Sequence, residues 1–238
     1  MQLMISDLSV EVDFYYGKMQ QRAEIFYIKK YKSIDQKSDL VIEPSAVSEL
    51  MRKYNWLDDA QREVVSSAQL FFLKALKYKR ILVHASVVAI DRDAYLFVAP
   101  GSGGKSSHVS MWKELFGNSI TILADDSPIV GMKDSKPVVW NTPWSKKTES
   151  VDTSAYFLKG ICLLEKGHIN VIEKITAEEA LESIMCMYPP DLDKYAIQVC
   201  INDILLNVPA WRLSCTVSIE AAEIAAKNLI KAEGYHDL

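Results

Sequence analysis

The feature that most constrains this chain is the octapeptide Ala99-Pro100-Gly101-Ser102-Gly103-Gly104-Lys105-Ser106, which follows the pattern [AG]-x4-G-K-[ST]. A β-prone run over residues 94–98 leads in, and a helix is predicted from about Gly104. For such a loop to hold a phosphate, several backbone N–H groups must converge on it, and a Cβ on the inner wall would block the approach. Three glycines in four positions remove that obstacle, and the helix N-terminus adds the positive end of its dipole. Lys105 can reach the β/γ-phosphates and the Ser106 hydroxyl can ligate Mg²⁺. Gly101, Ser102, Gly103, Gly104, Lys105, Ser106 and Ser107 are therefore the predicted nucleotide-binding set. The strand–loop–helix context separates this reading from a plain Gly/Ser turn.

The flanks supply candidates for chemistry. Residues 81–90 read as a β-branched strand, and a tight hairpin centred on Arg92 would set His84 beside Pro100 at the mouth of the loop. A lone strand histidine is commonly structural, so it is this placement that makes His84 a candidate. After the loop helix, which should end near Gly117-Asn118, the apolar strand 119–124 runs into Asp125-Asp126. Two adjacent carboxylates at the end of a buried strand are costly unless a cation neutralises them, and a Mg²⁺–nucleotide would do so. The alternative is an exposed acidic turn before Ser127-Pro128. A second hairpin around Asp134-Ser135 would bring Pro143 or Trp144 opposite Asp126, returning Trp144, Lys146 and Lys147 to the acidic pair as candidate contacts for an anionic substrate group. A Lys-Lys pair is also a common solvated surface. Residues 146–154 are polar and aperiodic, suited to a mobile cover.

The remainder reads as scaffold. Residues 4–12, 23–31 and 38–42 look like short strands, and 45–53 like a short helix. Asp58 or Asp59 can cap a helix to about residue 78 whose apolar positions (Val64, Val65, Ala68, Phe71, Phe72, Ala75, Leu76) follow helical spacing. Residues 159–165 and 168–173 suggest a third hairpin, and Thr176 to Glu179 matches a capping box. A helical stretch over 191–207, a strand over 209–216 and a last helix capped by Ser218 complete the reading.

With 238 residues, the expected organisation is an N-terminal strand layer and helix over 1–79 packed on a core over 80–238. A net charge of −4 argues against a nucleic-acid surface. Cys162, Cys186, Cys200 and Cys215 sit in apolar segments without C-x-x-C spacing and read as buried reduced thiols. His108, His168 and His236 lack ligand-spaced partners, so no zinc site is indicated. Residues 1–16 carry Asp7, Glu11 and Asp13 without a cationic start, unlike a signal peptide. The expectation is a cytoplasmic protein with neither nucleic-acid nor membrane partners.

Taken in order, the histidine strand (82–88), the loop (99–106), Leu123-Ala124-Asp125-Asp126, Thr142-Pro143-Trp144, Leu163-Leu164-Glu165 and residues 208–213 resemble the HPr kinase/phosphorylase-like branch of the phosphoenolpyruvate carboxykinase-type P-loop superfamily. The likeness is closest to the short kinase-like proteins of modified-peptide biosynthesis and covers residues 80–230. It implies an α/β fold, a P-loop core with a mixed, largely antiparallel sheet flanked by helices, as in the HPr kinase C-terminal domain. It also implies ATP and Mg²⁺ binding and phosphoryl transfer to a Ser/Thr hydroxyl of a peptide or protein, or to a small-molecule alcohol. By position, Lys105 would neutralise phosphates and Ser106 would ligate Mg²⁺. One of the two aspartates would hold the metal and the other would act as base, with Asp125 favoured as base, Asp126 for the metal, and His84 tuning the base. Relatives assemble into oligomers, so the resemblance leaves room for a homo-oligomer. Ala99, Ser107 and Asn141 depart from the family pattern, which keeps open an alternative: a non-catalytic nucleotide-binding regulatory or accessory protein.

Overall fold

The computed structural model describes residues 1–27, 37–101, 103–146, 152–190 and 192–230. The expected sites Ser102 and Lys147, most of the proposed cover and the end of the last helix lie outside these residues. In chain order the elements are β1 (Gln2–Ile5), β2 (Leu8–Val12), α1 (Gly17–Ala23), β3 (Leu40–Ile42), α2 (Pro44–Met51), α3 (Asp59–Ala75), β4 (Arg80–Leu82), β5 (Ala85–Ile90), β6 (Asp93–Val98), α4 (Lys105–Phe116), β7 (Thr121–Asp125), β8 (Ile129–Lys133), β9 (Lys136–Trp140), β10 (Tyr156–Lys166), β11 (Val171–Ile175), α5 (Ala177–Met185), α6 (Lys194–Leu205), β12 (Ala210–Cys215) and α7 (Ile219–Leu229).

The main sheet has the order β4-β8-β9-β10-β6-β5-β7, and β12 lies along the C-terminal half of β10 with β11 outside it. Most neighbours are antiparallel, while β10 runs parallel to both β6 and β12. The fold is thus mixed α/β with a mixed, largely antiparallel sheet flanked by helices. Period-two alternation divides the core between the two faces. Leu96 and Val98 of β6 face a cluster shared with Ile184 of α5 and Ile197 and Ile201 of α6. Tyr95 and Phe97 face Trp112 of α4 and Ala222 and Ala226 of α7. The small sheet β1-β2-β3 forms a further cluster with Phe71 of α3, Trp140 and Trp144.

Several expectations need correcting. Residues 81–90 are two strands. β4 lies at one edge of the sheet and β5 near the other, with only Val83 and His84 between them. The sheet therefore curls until its edges meet. Val83 N–H donates to the Pro128 carbonyl at 3.0 Å, and Asp126 N–H to the Ala85 carbonyl at 2.9 Å. The hairpin into the loop pairs Ala85 with Val98, a register that sets His84 level with Ala99 rather than Pro100. Residues 23–26 are helical, not strand: α1 ends at Ala23 and a single 3₁₀ turn follows. The expected third hairpin is split, because β11 pairs with β12 and not with β10. β12, with Trp211 and Leu213 buried, takes the inner position, while β11 is exposed along most of its length and takes the edge. Among the cysteines, all free, Cys186 is exposed, since it follows the end of amphipathic α5. No helix among the described residues is long and apolar enough to cross a membrane.

His108, in the helix that follows the loop, is buried against Phe97, and its Nε2 accepts the Trp112 indole N–H at 3.1 Å. Burial lowers its pKa from 6.5 to about 4. Between these values the unfolded chain binds a proton that the folded chain refuses, so stability falls as pH drops through this window, by up to about 3 kcal/mol. We expect the denaturation midpoint to fall between pH ~7 and ~4.5. His108→Gln should flatten that dependence; an unchanged slope would assign it to other groups.

Candidate active site

The sequence folds the loop as its glycines require. Gly104 has φ +89°, a conformation that side chains disfavour, and it immediately precedes α4. A Cβ on Gly103 would lie 2.5 Å from the Ala99 Cβ and 2.9 Å from the Pro100 carbonyl oxygen, so only glycine fits this tight turn. Lys105 is 6% exposed, and its ammonium donates to the carbonyls of Ala99 (3.1 Å) and Gly101 (3.0 Å). Burial lowers its pKa, opposed by the nearby Asp126 and Asp125.

The two aspartates, adjacent in sequence, face different partners. Strands β6 and β7 both pair antiparallel with β5, so they run the same way and end at the same level. Asp125, 3% exposed at the end of β7, accepts from the Ser106 hydroxyl at 2.9 Å on each oxygen and from the Ser86 hydroxyl. A β-bulge between Val87 and Val88 adjusts the register that brings Ser86 opposite Asp125. Asp126 has φ +91°, uncommon for a residue with a side chain. Its carboxylate meets His84 Nε2 at 2.5 Å and Lys146 Nζ at 2.8 Å. The His84 hydrogen bond, followed by that of Lys146, outweighs desolvation and holds Asp126 far below the usual carboxylate range.

The segment after β9 carries Lys146 into place. Thr142 Oγ1 donates to the Ser127 carbonyl at 2.8 Å, and Lys146 N–H to the Asp125 carbonyl at 2.9 Å. Trp144 is 1% exposed; its indole N–H donates to Ser67 Oγ at 2.8 Å and its ring lies 4.9 Å from that of Phe71. It packs between α3 and the site and also contributes to the wall of the adjoining cavity that reaches Asp126 and Lys146.

Two cavities open beside these groups. One, of about 410 Å³, is lined by Pro100, Gly101, Leu163, Glu165 and Ser183. The other, of about 570 Å³, reaches Asp126, Ser127 and Lys146 and is otherwise mostly apolar. His84 and Met187 line both. Sequence reasoning overlooked the larger cavity, because its walls come from α1, α3, the β4–β5 junction and the segment after α5, which no motif links.

The oxygens of Ser106 and Asp125 suit a hard cation such as Mg²⁺, which takes one or two protein oxygens and completes its shell with phosphate and water. Among the described residues no group of three or more His, Cys, Asp or Glu comes together as a metal cluster.

The chain is thus a mixed α/β protein built around a strand–glycine loop–helix unit with a split pair of carboxylates beside it. No family model matches the chain, and no curated protein does. Among solved structures it is similar to the HPr(Ser) kinase/phosphatase from Coxiella burnetii, with 11% identity and a TM-score of 0.39 over 64% of this chain and 99% of that one.

Proposed function

We propose that the protein is an ATP- and Mg²⁺-dependent phosphotransferase acting on a hydroxyl group. The observation that carries this reading is the divergence of the two aspartates, one bonded to the loop serine and the other turned toward a separate cavity beside His84. Nucleotide binding alone would use the first; the second suits a group that handles an acceptor.

In this reading Gly101, Gly103 and Gly104, with Ser102 and Ser107, cradle the phosphates, and Lys105 turns from the loop carbonyls to the β/γ-phosphates. Ser106 and Asp125 would hold Mg²⁺, which when bound neutralises charge between the β- and γ-phosphates. The acceptor oxygen attacks the γ-phosphorus. A new O–P bond forms, the bond from the γ-phosphorus to the β–γ bridging oxygen breaks, and its electron pair leaves with ADP. The hydroxyl proton passes to Asp126, oriented by His84. An acceptor hydroxyl becomes acidic as phosphoryl transfer proceeds, so a low-pKa carboxylate serves here. This exchanges the roles that the resemblance favoured for the two aspartates, because Asp125 is the one bonded to Ser106. Lys146 is placed to steady transferring charge.

The test combines binding and transfer. Calorimetry with a non-hydrolysable ATP analogue and Mg²⁺ should show binding that Lys105→Ala weakens about 10–100-fold, the loss of a charge-assisted contact. γ-Labelled ATP should then pass label to members of a panel of hydroxyl compounds and hydroxyl-bearing peptides. Binding without transfer to any of them would favour the regulatory alternative, and absence of binding would overturn both.

A further inference from the structure

The 570 Å³ cavity carries a feature that phosphoryl transfer alone does not require. Arg22, on α1, lines it together with His84 and Asp126. Arg22 as a residue is half-buried, and its guanidinium has no hydrogen-bond or ion-pair partner among the described residues. A guanidinium set in the wall of a mostly apolar cavity with no carboxylate beside it is free to meet a ligand's carboxylate with two parallel N–H donors. Burial accordingly pushes its pKa down. Lys18, one turn earlier on α1, and Lys146 also line the cavity, against one carboxylate, that of Asp126, among the described residues. Lys146 is already paired with Asp126, whereas Arg22 is not. The walls between these charges are apolar, with Val64, Ala68, Phe72, Leu82 and Tyr188 among them. Phe72 and Tyr188 stack with centroids 6.1 Å apart, and the Tyr188 hydroxyl is tied to the Leu82 carbonyl at 3.0 Å, so this wall is preformed. The volume falls in the range of small-molecule sites.

We propose that this cavity is the acceptor site and that it selects a small alcohol with an apolar body and a carboxylate, the carboxylate held by Arg22 and the hydroxyl presented to Asp126. The inference rests on the phosphotransferase reading for the role of the hydroxyl, but recognition of an apolar acid by Arg22 is measurable without nucleotide. Bidentate pairing with a guanidinium discriminates a carboxylate from a neutral group, and the apolar wall discriminates against small polar alcohols.

The experiment is calorimetry without ATP on the full chain, using 12-hydroxydodecanoate and the uncharged 1,12-dodecanediol as matched probes. The acid should bind the wild type more than about tenfold tighter than the diol, the scale of one charge-assisted hydrogen-bonded contact. Arg22→Gln should remove that preference by weakening the acid alone, and Arg22→Lys should restore part of it. Circular dichroism and the unfolding midpoint of each variant establish that it is folded. Equal affinity for acid and diol, an acid affinity unchanged in folded Arg22→Gln, or binding of neither probe would each overturn the proposal. If the acid binds through Arg22 but accepts no label from γ-labelled ATP, the site stands as an acid-binding pocket and the phosphotransferase reading fails separately.

Discussion

Asp126→Asn should lower phosphoryl transfer to an accepted alcohol by about 10²–10⁴-fold, the range for loss of a positioned general base, while leaving the affinity for Mg²⁺–nucleotide unchanged or slightly higher. The direction of the binding effect follows from charge. Asp126 lies near Lys105 and favours its ammonium form, and neutralising it removes negative charge from the approach of an anionic ligand. Asparagine retains the approximate shape and can still meet His84 and Lys146, but it cannot take up the acceptor's proton. Asp125→Asn should behave differently. That carboxylate is 3% exposed and bonded to the Ser106 and Ser86 hydroxyls, so its loss should weaken nucleotide binding in Mg²⁺ far more than binding in chelator. Dissociation constants with and without Mg²⁺, together with single-turnover transfer rates, separate the two. Substantial transfer by Asp126→Asn together with none by a metal-binding-competent Asp125→Asn would return the base to Asp125.

Trp144→Ala should cost about 3–5 kcal/mol of stability, as for other large aromatic truncations in a packed core. The ring is 1% exposed and packs on Phe71, and its N–H is bonded to Ser67, whose own hydroxyl donates to the Glu63 carbonyl. Truncation would open a void where the small sheet and α3 meet the segment 141–145, which positions Lys146. Trp144→Phe keeps most of the volume and loses only the indole hydrogen bond, so about 1 kcal/mol is expected. Denaturant unfolding of the three proteins measures the difference. A Trp144→Ala protein with an unchanged midpoint but no acceptor turnover would make Trp144 a substrate contact instead of a packing post.

How much could be read beforehand differs from one part of the chain to another, for physical reasons. The loop was legible because its constraint is local: Gly103 has no room for a Cβ and Gly104 needs positive φ, whatever surrounds them. Helix starts were legible on the same ground, since Asp58, Thr176 and Ser218 satisfy orphan N–H groups within their own first turns. The hairpin β8–β9 was legible because a short turn fixes its register: Ile129 pairs with Trp140, and the same register continues to the contact of Thr142 with Ser127. Elsewhere the near-continuous apolar run of 81–90 suits one strand as well as two, because a strand passing from edge to edge of a curled sheet remains apolar throughout. The pairing of β11 was hidden for a similar reason. A hairpin and a pair with a third strand between them have the same local pattern, and only burial of β12 between them decides.

By itself the amino-acid sequence determined that a tight glycine turn joins β6 to α4, and that two carboxylates follow at the end of the next strand. Both depend on backbone freedom and apolar runs over a few residues. Tertiary structure alone decided which carboxylate faces the loop and which faces away, since that turns on the positive φ of Asp126 and on the arrival of His84 and Ser86 from one segment and Lys146 from another. It also decided that α1 and α3 complete a cavity over Asp126, placing Arg22 in its wall. Contacts between residues so far apart in sequence follow from how the sheet curls and what packs on it, and no local pattern encodes either.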